Sequence, residues 1–117
     1  MSKILVVEDE KNISLLYKEE LQDLGCEVIQ ASSGGEAVEK FDMHRPDLII
    51  LDIQLPGLDG IETMNIIRKK SRDVPIILCT AYGEYKRDIR TWASDAYVIK
   101  SADLKEFLST VKKILMI

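Results

Sequence analysis

The sequence predicts an α/β protein: a doubly wound, five-stranded parallel sheet with helices on both faces. Three observations carry that expectation. Short apolar runs alternate with amphipathic stretches along the chain. Three of the runs, 4–7, 48–51 and 76–79, are continuously apolar, as strands covered on both sides must be. The length, 117 residues, holds five such strand–helix units and no second domain.

The elements follow in order. The first strand is Ile4-Leu5-Val6-Val7, and the helix after it is expected to bury Ile13, Leu16, Leu21 and Leu24, with Gly25 as its stop. The second run, 28–31, with Glu27 before it, mixes Val28 and Ile29 with Gln30 and reads as an edge strand. Ala37, Val38 and Phe41 mark the second helix, and 48–51 is the third strand. Ile61, Met64 and Ile67, with Ile66 beside them, mark the third helix, and Met64 reads as core filler. The fourth strand, 76–79, contains Cys79 as a small core residue. Ile89, Trp92 and Ala93 make a short, weak fourth helical stripe before the fifth strand at 97–99. Leu104, Phe107, Leu108, Val111 and Leu115 repeat at helical spacing and predict the clearest helix, the fifth, with Asp103 and Glu106 capping its start. Right-handed crossovers and one reversal of winding give the strand order 2-1-3-4-5. Residues 1–117 are expected to form one domain.

Composition narrows the function classes. With 46% hydrophobic and 31% charged residues the chain is not a disordered one. Sixteen basic against 20 acidic side chains leave a net charge of −4, which argues against direct nucleic-acid binding. No apolar run is long enough to insert in a membrane, and the start lacks the pattern of a signal peptide. Cys26 and Cys79 lie far apart without metal-type spacing, and read as reduced thiols of a cytoplasmic protein.

In a doubly wound sheet the functional crevice lies beyond the carboxyl ends of the strands. The residues delivered there are Glu8, Asp9 and Glu10 after the first strand, Asp52 after the third, Thr80 after the fourth and Lys100 after the fifth. Glu8, Asp9 and Asp52 would repel one another, and a hard divalent cation, most simply Mg²⁺, would offset that charge. A carboxylate, a cation, a lysine and a hydroxyl form a set suited to phosphoryl transfer. For Glu10 alone, capping of the next helix is the better reading; for Glu8, Asp9, Asp52, Thr80 and Lys100 together it is a poor one.

The chain resembles the receiver domain of two-component response regulators, of the single-domain type and flavodoxin-like fold. The residues that carry the likeness are Ile4-Leu5-Val6-Val7-Glu8-Asp9-Glu10, Pro46-Asp47-Leu48-Ile49-Ile50-Leu51-Asp52-Ile53-Gln54-Leu55-Pro56-Gly57-Leu58-Asp59-Gly60, Pro75-Ile76-Ile77-Leu78-Cys79-Thr80-Ala81 and Tyr97-Val98-Ile99-Lys100. The resemblance implies that Asp52 accepts a phosphoryl group from a phosphohistidine of a sensor histidine kinase or histidine phosphotransfer protein. It implies that Glu8, Asp9, Asp52 and the Gln54 carbonyl hold Mg²⁺. Thr80 and Lys100 would contact the phosphoryl oxygens, and Thr80 with Tyr97 would form the switch. Output would pass through the face of the fourth helix, fifth strand and fifth helix to a protein target or separate effector domain, a face through which receivers also dimerise on phosphorylation. Such a protein is not an enzyme in the ordinary sense, although it assists its own phosphorylation and autodephosphorylation.

Glu8 stands where many receivers have Asp, and Ser101 where the family usually has Pro, so a trans bond is expected after Lys100. Trp92, Ala93 and Ser94 replace a stretch that usually holds glycine. Other residues read blandly: His44 as a helix terminus, and Arg68-Lys69-Lys70-Ser71-Arg72 as a solvated helix end. Leu15, off the main stripe of the first helix, is a candidate docking knob for the kinase. Rival functions fit less well. A haloacid-dehalogenase-type phosphatase needs an acid where Gln54 stands, and a flavodoxin-like flavin carrier would meet acids where its phosphate binds. The alternative is a degenerate receiver acting as a phosphorylation-independent binding module.

Overall fold

The computed structural model describes residues 1–80, 94–99 and 104–117. Along the chain these form β1 (Lys3–Val7), α1 (Lys11–Asp23), β2 (Glu27–Ala31), α2 (Gly34–His44), β3 (Leu48–Asp52), α3 (Gly60–Lys70), β4 (Ile76–Thr80), β5 (Ala96–Ile99) and α4 (Lys105–Leu115). The five strands make one parallel sheet in the order β2-β1-β3-β4-β5. The expected topology is therefore present, and the expected fifth helix is α4. The weak helix expected around Ile89, Trp92 and Ala93 lies outside the described residues, as do Lys100 and Ser101. Among the described residues no helix is long and apolar enough to cross a membrane.

Strand alternation sorts the core into two layers. Leu5, Val7, Ile49, Leu51, Ile76 and Leu78 face α2 and α3, where they meet Ala37, Phe41, Ile61, Met64 and Ile67. Ile4, Val6, Leu48, Ile50, Ile77 and Cys79 face α1 and α4, where they meet Tyr17, Leu21, Phe107 and Val111. The central strands are apolar on both faces because both faces are covered. Each such buried side chain contributes about 1.5–3 kcal/mol. β2, at the edge, keeps Glu27 exposed.

Three expectations are corrected. Leu16 is not in the core: it is 41% exposed, and Tyr17 is buried in its place. The spacing 13, 17, 21, 24 keeps one face of the helix, whereas a step from 16 to 21 leaves it. Secondly, the N-cap of α4 is Leu104 and not Asp103, and no side-chain capping bond is made there. Asp103 lies outside the described residues, and with it the box expected from Asp103 and Glu106.

Thirdly, Arg68 is not a solvated helix end. Its guanidinium donates to the Val74 carbonyl at 2.6 Å and the Arg72 carbonyl at 3.2 Å, and pairs with Asp95 Oδ2 at 2.9 Å. Asp95 Oδ2 also accepts from the Ile76 backbone N–H at 2.8 Å. One cation thus ties the end of α3 to the starts of β4 and β5. Hydrogen bonds to a charged, largely buried group are the stronger kind. Arg68→Ala is expected to cost about 2–3 kcal/mol, read as a lower urea midpoint with an unchanged slope.

Chain reversals follow local chemistry. Gly25, at φ +87°, ends α1 with its N–H on the Gln22 carbonyl. Ser33 Oγ accepts from the Glu36 N–H to start α2, while Glu36 reaches back to the Ser32 N–H. That N–H, with Lys40, holds the Glu36 carboxyl below its usual range. Cys26 and Cys79 are buried and not joined in a disulfide, and burial pushes the Cys26 thiol up.

Candidate functional site

The crevice at the carboxyl edge is a product of strand alternation. After Ile4 and Val6, the next residue of that face is Glu8; after Leu48 and Ile50, the next is Asp52. Both carboxyl groups are sunk to the level of the core, at 3% and 5% exposure. Asp9 is exposed beside them, and one ligand oxygen from each of Glu8, Asp9 and Asp52 lies within 4.8 Å of the others. Charges at that spacing repel by about 3–4 kcal/mol per pair at an effective dielectric near 20. Three hard oxygen donors, two of them buried, fit a small divalent cation and fit no soft metal.

Backbone groups hold this geometry. The Gln54 N–H donates to Asp52 Oδ1 at 3.2 Å, and the Glu10 N–H to Glu8 Oε1 at 3.4 Å. Glu10 occupies the N-cap position of α1, but its side chain makes no capping bond. The loop from β3 to α3 is closed by the Gly60 N–H on the Ile53 carbonyl at 2.8 Å. A reciprocal box follows it: Glu62 N–H donates to Asp59 Oδ1 at 2.8 Å, and Asp59 N–H to Glu62 Oε1 at 3.3 Å. Two grooves flank Asp9, one running past Lys11, Ser14 and Glu36, the other past Gln54, Pro56 and Asp59.

The remaining site residues expected from sequence fall as follows. Thr80 ends β4, fully buried, one residue beyond Cys79, which is in register with Asp52. Tyr97 is in β5 opposite Leu78 and packs partly buried against the α2–α3 layer. Lys100 lies outside the described residues. His44 is at the opposite edge, where its carbonyl accepts from Lys3 Nζ at 3.3 Å, so it takes no part in the crevice. Leu15 is 50% exposed on α1.

Tyr17 was not legible as a site neighbour. Burial and the nearby Cys79, Glu8 and Asp52 push its phenol far above the ordinary value near 10. The signal that could have found it is the 13-17-21-24 periodicity with a polar tip on one member. Below about pH 10 the phenol is neutral in both folded and unfolded chains, and its contribution is complete. Above that pH the unfolded chain loses the proton first, so the folded chain binds more protons and stability falls as pH rises. The urea midpoint is expected to drop more steeply above about pH 10 in the native chain than in Tyr17→Phe.

Fold and crevice together define a doubly wound α/β protein with a cation-accepting acidic site at its switch point. The chain belongs to the response regulator receiver family: the model of the response regulator receiver domain matches residues 4–112. Among solved structures it is similar to the response regulator TrrA of Thermotoga maritima in complex with Mg²⁺–BeF, at 50% identity, covering 97% of this chain and 99% of that one, with a TM-score of 0.94. TrrA in complex with the histidine kinase ThkA matches at 50% identity and a TM-score of 0.92, covering 98% of this chain and 99% of that one. Sporulation initiation phosphotransferase F of Bacillus subtilis is 33% identical over 115 residues, which are 97% of this chain and 93% of that protein. The chain spans about half the length of other curated relatives, such as the regulator PhoP of Bacillus subtilis, 40% identical over 48% of its length.

Proposed function

We propose that residues 1–117 act as one receiver domain that takes a phosphoryl group onto Asp52 and relays a two-component signal. The donor is a phosphohistidine on a histidine kinase or histidine phosphotransfer protein. A carboxylate oxygen of Asp52 forms the new bond to phosphorus as the N–P bond of the donor breaks, and the donor imidazole keeps the electron pair and takes up a proton. The observation that carries this reading is the convergence of Glu8, Asp9 and Asp52 within 4.8 Å at the carboxyl edge of the sheet. Glu8, Asp9, Asp52 and the Gln54 carbonyl hold Mg²⁺, which supplies positive charge against the carboxylates and the transferred phosphoryl oxygens.

The chain's own residues do the positioning. The Gln54 N–H fixes one oxygen of Asp52, leaving the carboxylate aimed rather than free to rotate. Thr80 and Lys100 contact the phosphoryl oxygens, and Thr80 with Tyr97 carries the change to the output face. That face meets a downstream protein or a separate effector domain, or a second copy of the chain. Leu15 and its exposed neighbour Leu16 offer an apolar knob to the kinase beside the acidic groove. Autodephosphorylation brings water past Gln54 to the acyl phosphate. The protein works in the cytoplasm, where Cys26 and Cys79, not joined in a disulfide, stay reduced.

Incubation with acetyl phosphate and Mg²⁺, read by intact mass, tests this reading. One added phosphoryl group per chain supports it. No addition, with a competent kinase supplied as well, would favour a binding module that works without phosphorylation.

A further inference from the structure

The turn between β2 and α2 touches both walls of the acidic crevice. At its start the Ala31 carbonyl accepts from the Glu8 backbone N–H at 3.0 Å. Further on, Gly34 is buried against the loop that joins β3 to α3. A β-carbon at Gly34 would lie 2.7 Å from the Leu58 carbonyl oxygen and 3.1 Å from Leu58 Cβ, and would run into Thr63 Oγ1. A residue without a side chain lets the two backbones come this close.

Both partners of the contact are held in place. Ser33 Oγ accepts from the Glu36 N–H and Glu36 from the Ser32 N–H, so the turn is fixed by its own caps. Thr63 is fully buried, and its hydroxyl donates to the Asp59 carbonyl at 2.7 Å. The loop from Ile53 to Asp59 carries Gln54. It is tied by the Gly60 N–H on the Ile53 carbonyl and by the Gln54 N–H on Asp52 Oδ1, and Leu58 rests on Gly34.

We propose that Gly34 is a positioning residue of the acidic site. It seats the β2–α2 turn against Leu58, so that one fixed turn sets the spacing between Glu8 and the loop that carries Gln54. The inference rests on the reading that Glu8, Asp9, Asp52 and the Gln54 carbonyl hold Mg²⁺. Close-packed interiors transmit strain rather than absorb it. A side chain at position 34 pushes on the Leu58 backbone, and Gln54 lies on the same short loop. Groups that orient metal ligands from outside are typically worth about 10–100-fold in affinity, and a shifted loop carrying one of the ligands is expected at the low end, about tenfold.

Calorimetric titration of the full chain with MgCl₂, paired with urea unfolding, tests this. Gly34→Ala is expected to bind Mg²⁺ about tenfold more weakly than the native chain. Two controls are expected to bind it as the native chain does. Gly35→Ala adds the same methyl group one position on, where it meets nothing, and Arg68→Ala loses stability at the opposite edge of the sheet. If Gly34→Ala does not fold, Thr63→Ala supplies the background. It removes the worse overlap and leaves the one with Leu58, so adding Gly34→Ala to it should still lower the affinity. The inference is overturned if Gly34→Ala binds Mg²⁺ as tightly as its parent chain in either background. It is equally overturned if Arg68→Ala loses as much affinity, since the effect would then follow stability alone. If the native chain binds no Mg²⁺, the cation reading of Glu8, Asp9 and Asp52 fails first, and this inference with it.

Discussion

Asp52→Asn is expected to remain folded and to lose phosphoryl incorporation by about a thousandfold or more, down to background. The substitution keeps the shape of the side chain and its acceptor for the Gln54 N–H, but an amide is no nucleophile. It also removes one of three carboxylates crowded within 4.8 Å, so stability is expected to hold or to rise. The two outcomes separate chemistry from structure. A variant that loses phosphorylation because it unfolds would show a lower urea midpoint; this one should not. Intact mass after acetyl phosphate and Mg²⁺, alongside a urea titration of the same preparation, reads both.

Gly60→Ala is expected to be the most damaging small substitution, costing about 3 kcal/mol or more out of a typical domain stability of about 5–15 kcal/mol. A β-carbon at Gly60 would run into the Asp52 carbonyl and the Ile53 Cα. These are backbone atoms at the end of a central strand, so no side-chain rotation relieves the overlap. Either α3 withdraws from the sheet or the end of β3 moves, and the second choice carries Asp52 with it. Phosphorylation should therefore fall together with stability, unlike in Asp52→Asn. Gly35 in α2 provides the contrast, because a β-carbon there meets nothing within 4 Å. Gly35→Ala is expected to be neutral or to stabilise by about 0.5–1 kcal/mol through helix propensity. Urea midpoints of the two variants measured side by side would check the difference.

The sheet was legible because its three central strands are continuously apolar, a pattern few other elements impose. The acidic crevice was legible for a related reason: polar residues follow those strands directly, and topology puts strand ends together. Glu8, Asp9 and Asp52 needed no side-chain detail to be found. Details set by packing rather than by period were not legible. Leu16 and Tyr17 differ by one position on α1, and only the layer formed with Phe107 decides which of them is buried. Arg68 looks like a solvated cation in a basic run, and its role depends on Asp95 and on carbonyls that β4 and β5 bring to it. Gly60 opens α3 just after a loop rich in turn residues, and its close approach to β3 exists only once that loop has closed.

The net charge of −4 takes on a local meaning from the site. Part of it is concentrated at one end of the sheet, where a phosphoryl group, itself anionic, has to approach. The central claim is that this approach ends in a covalent bond to Asp52. Borohydride reduction of the phosphorylated chain followed by peptide mapping tests it directly, since an acyl phosphate of aspartate is reduced to homoserine. The account predicts homoserine at position 52 and nowhere else, dependent on Mg²⁺. Stable label elsewhere, on His44 for instance, or an Asp52 that stays unreduced in a chain carrying one phosphoryl group, would contradict it.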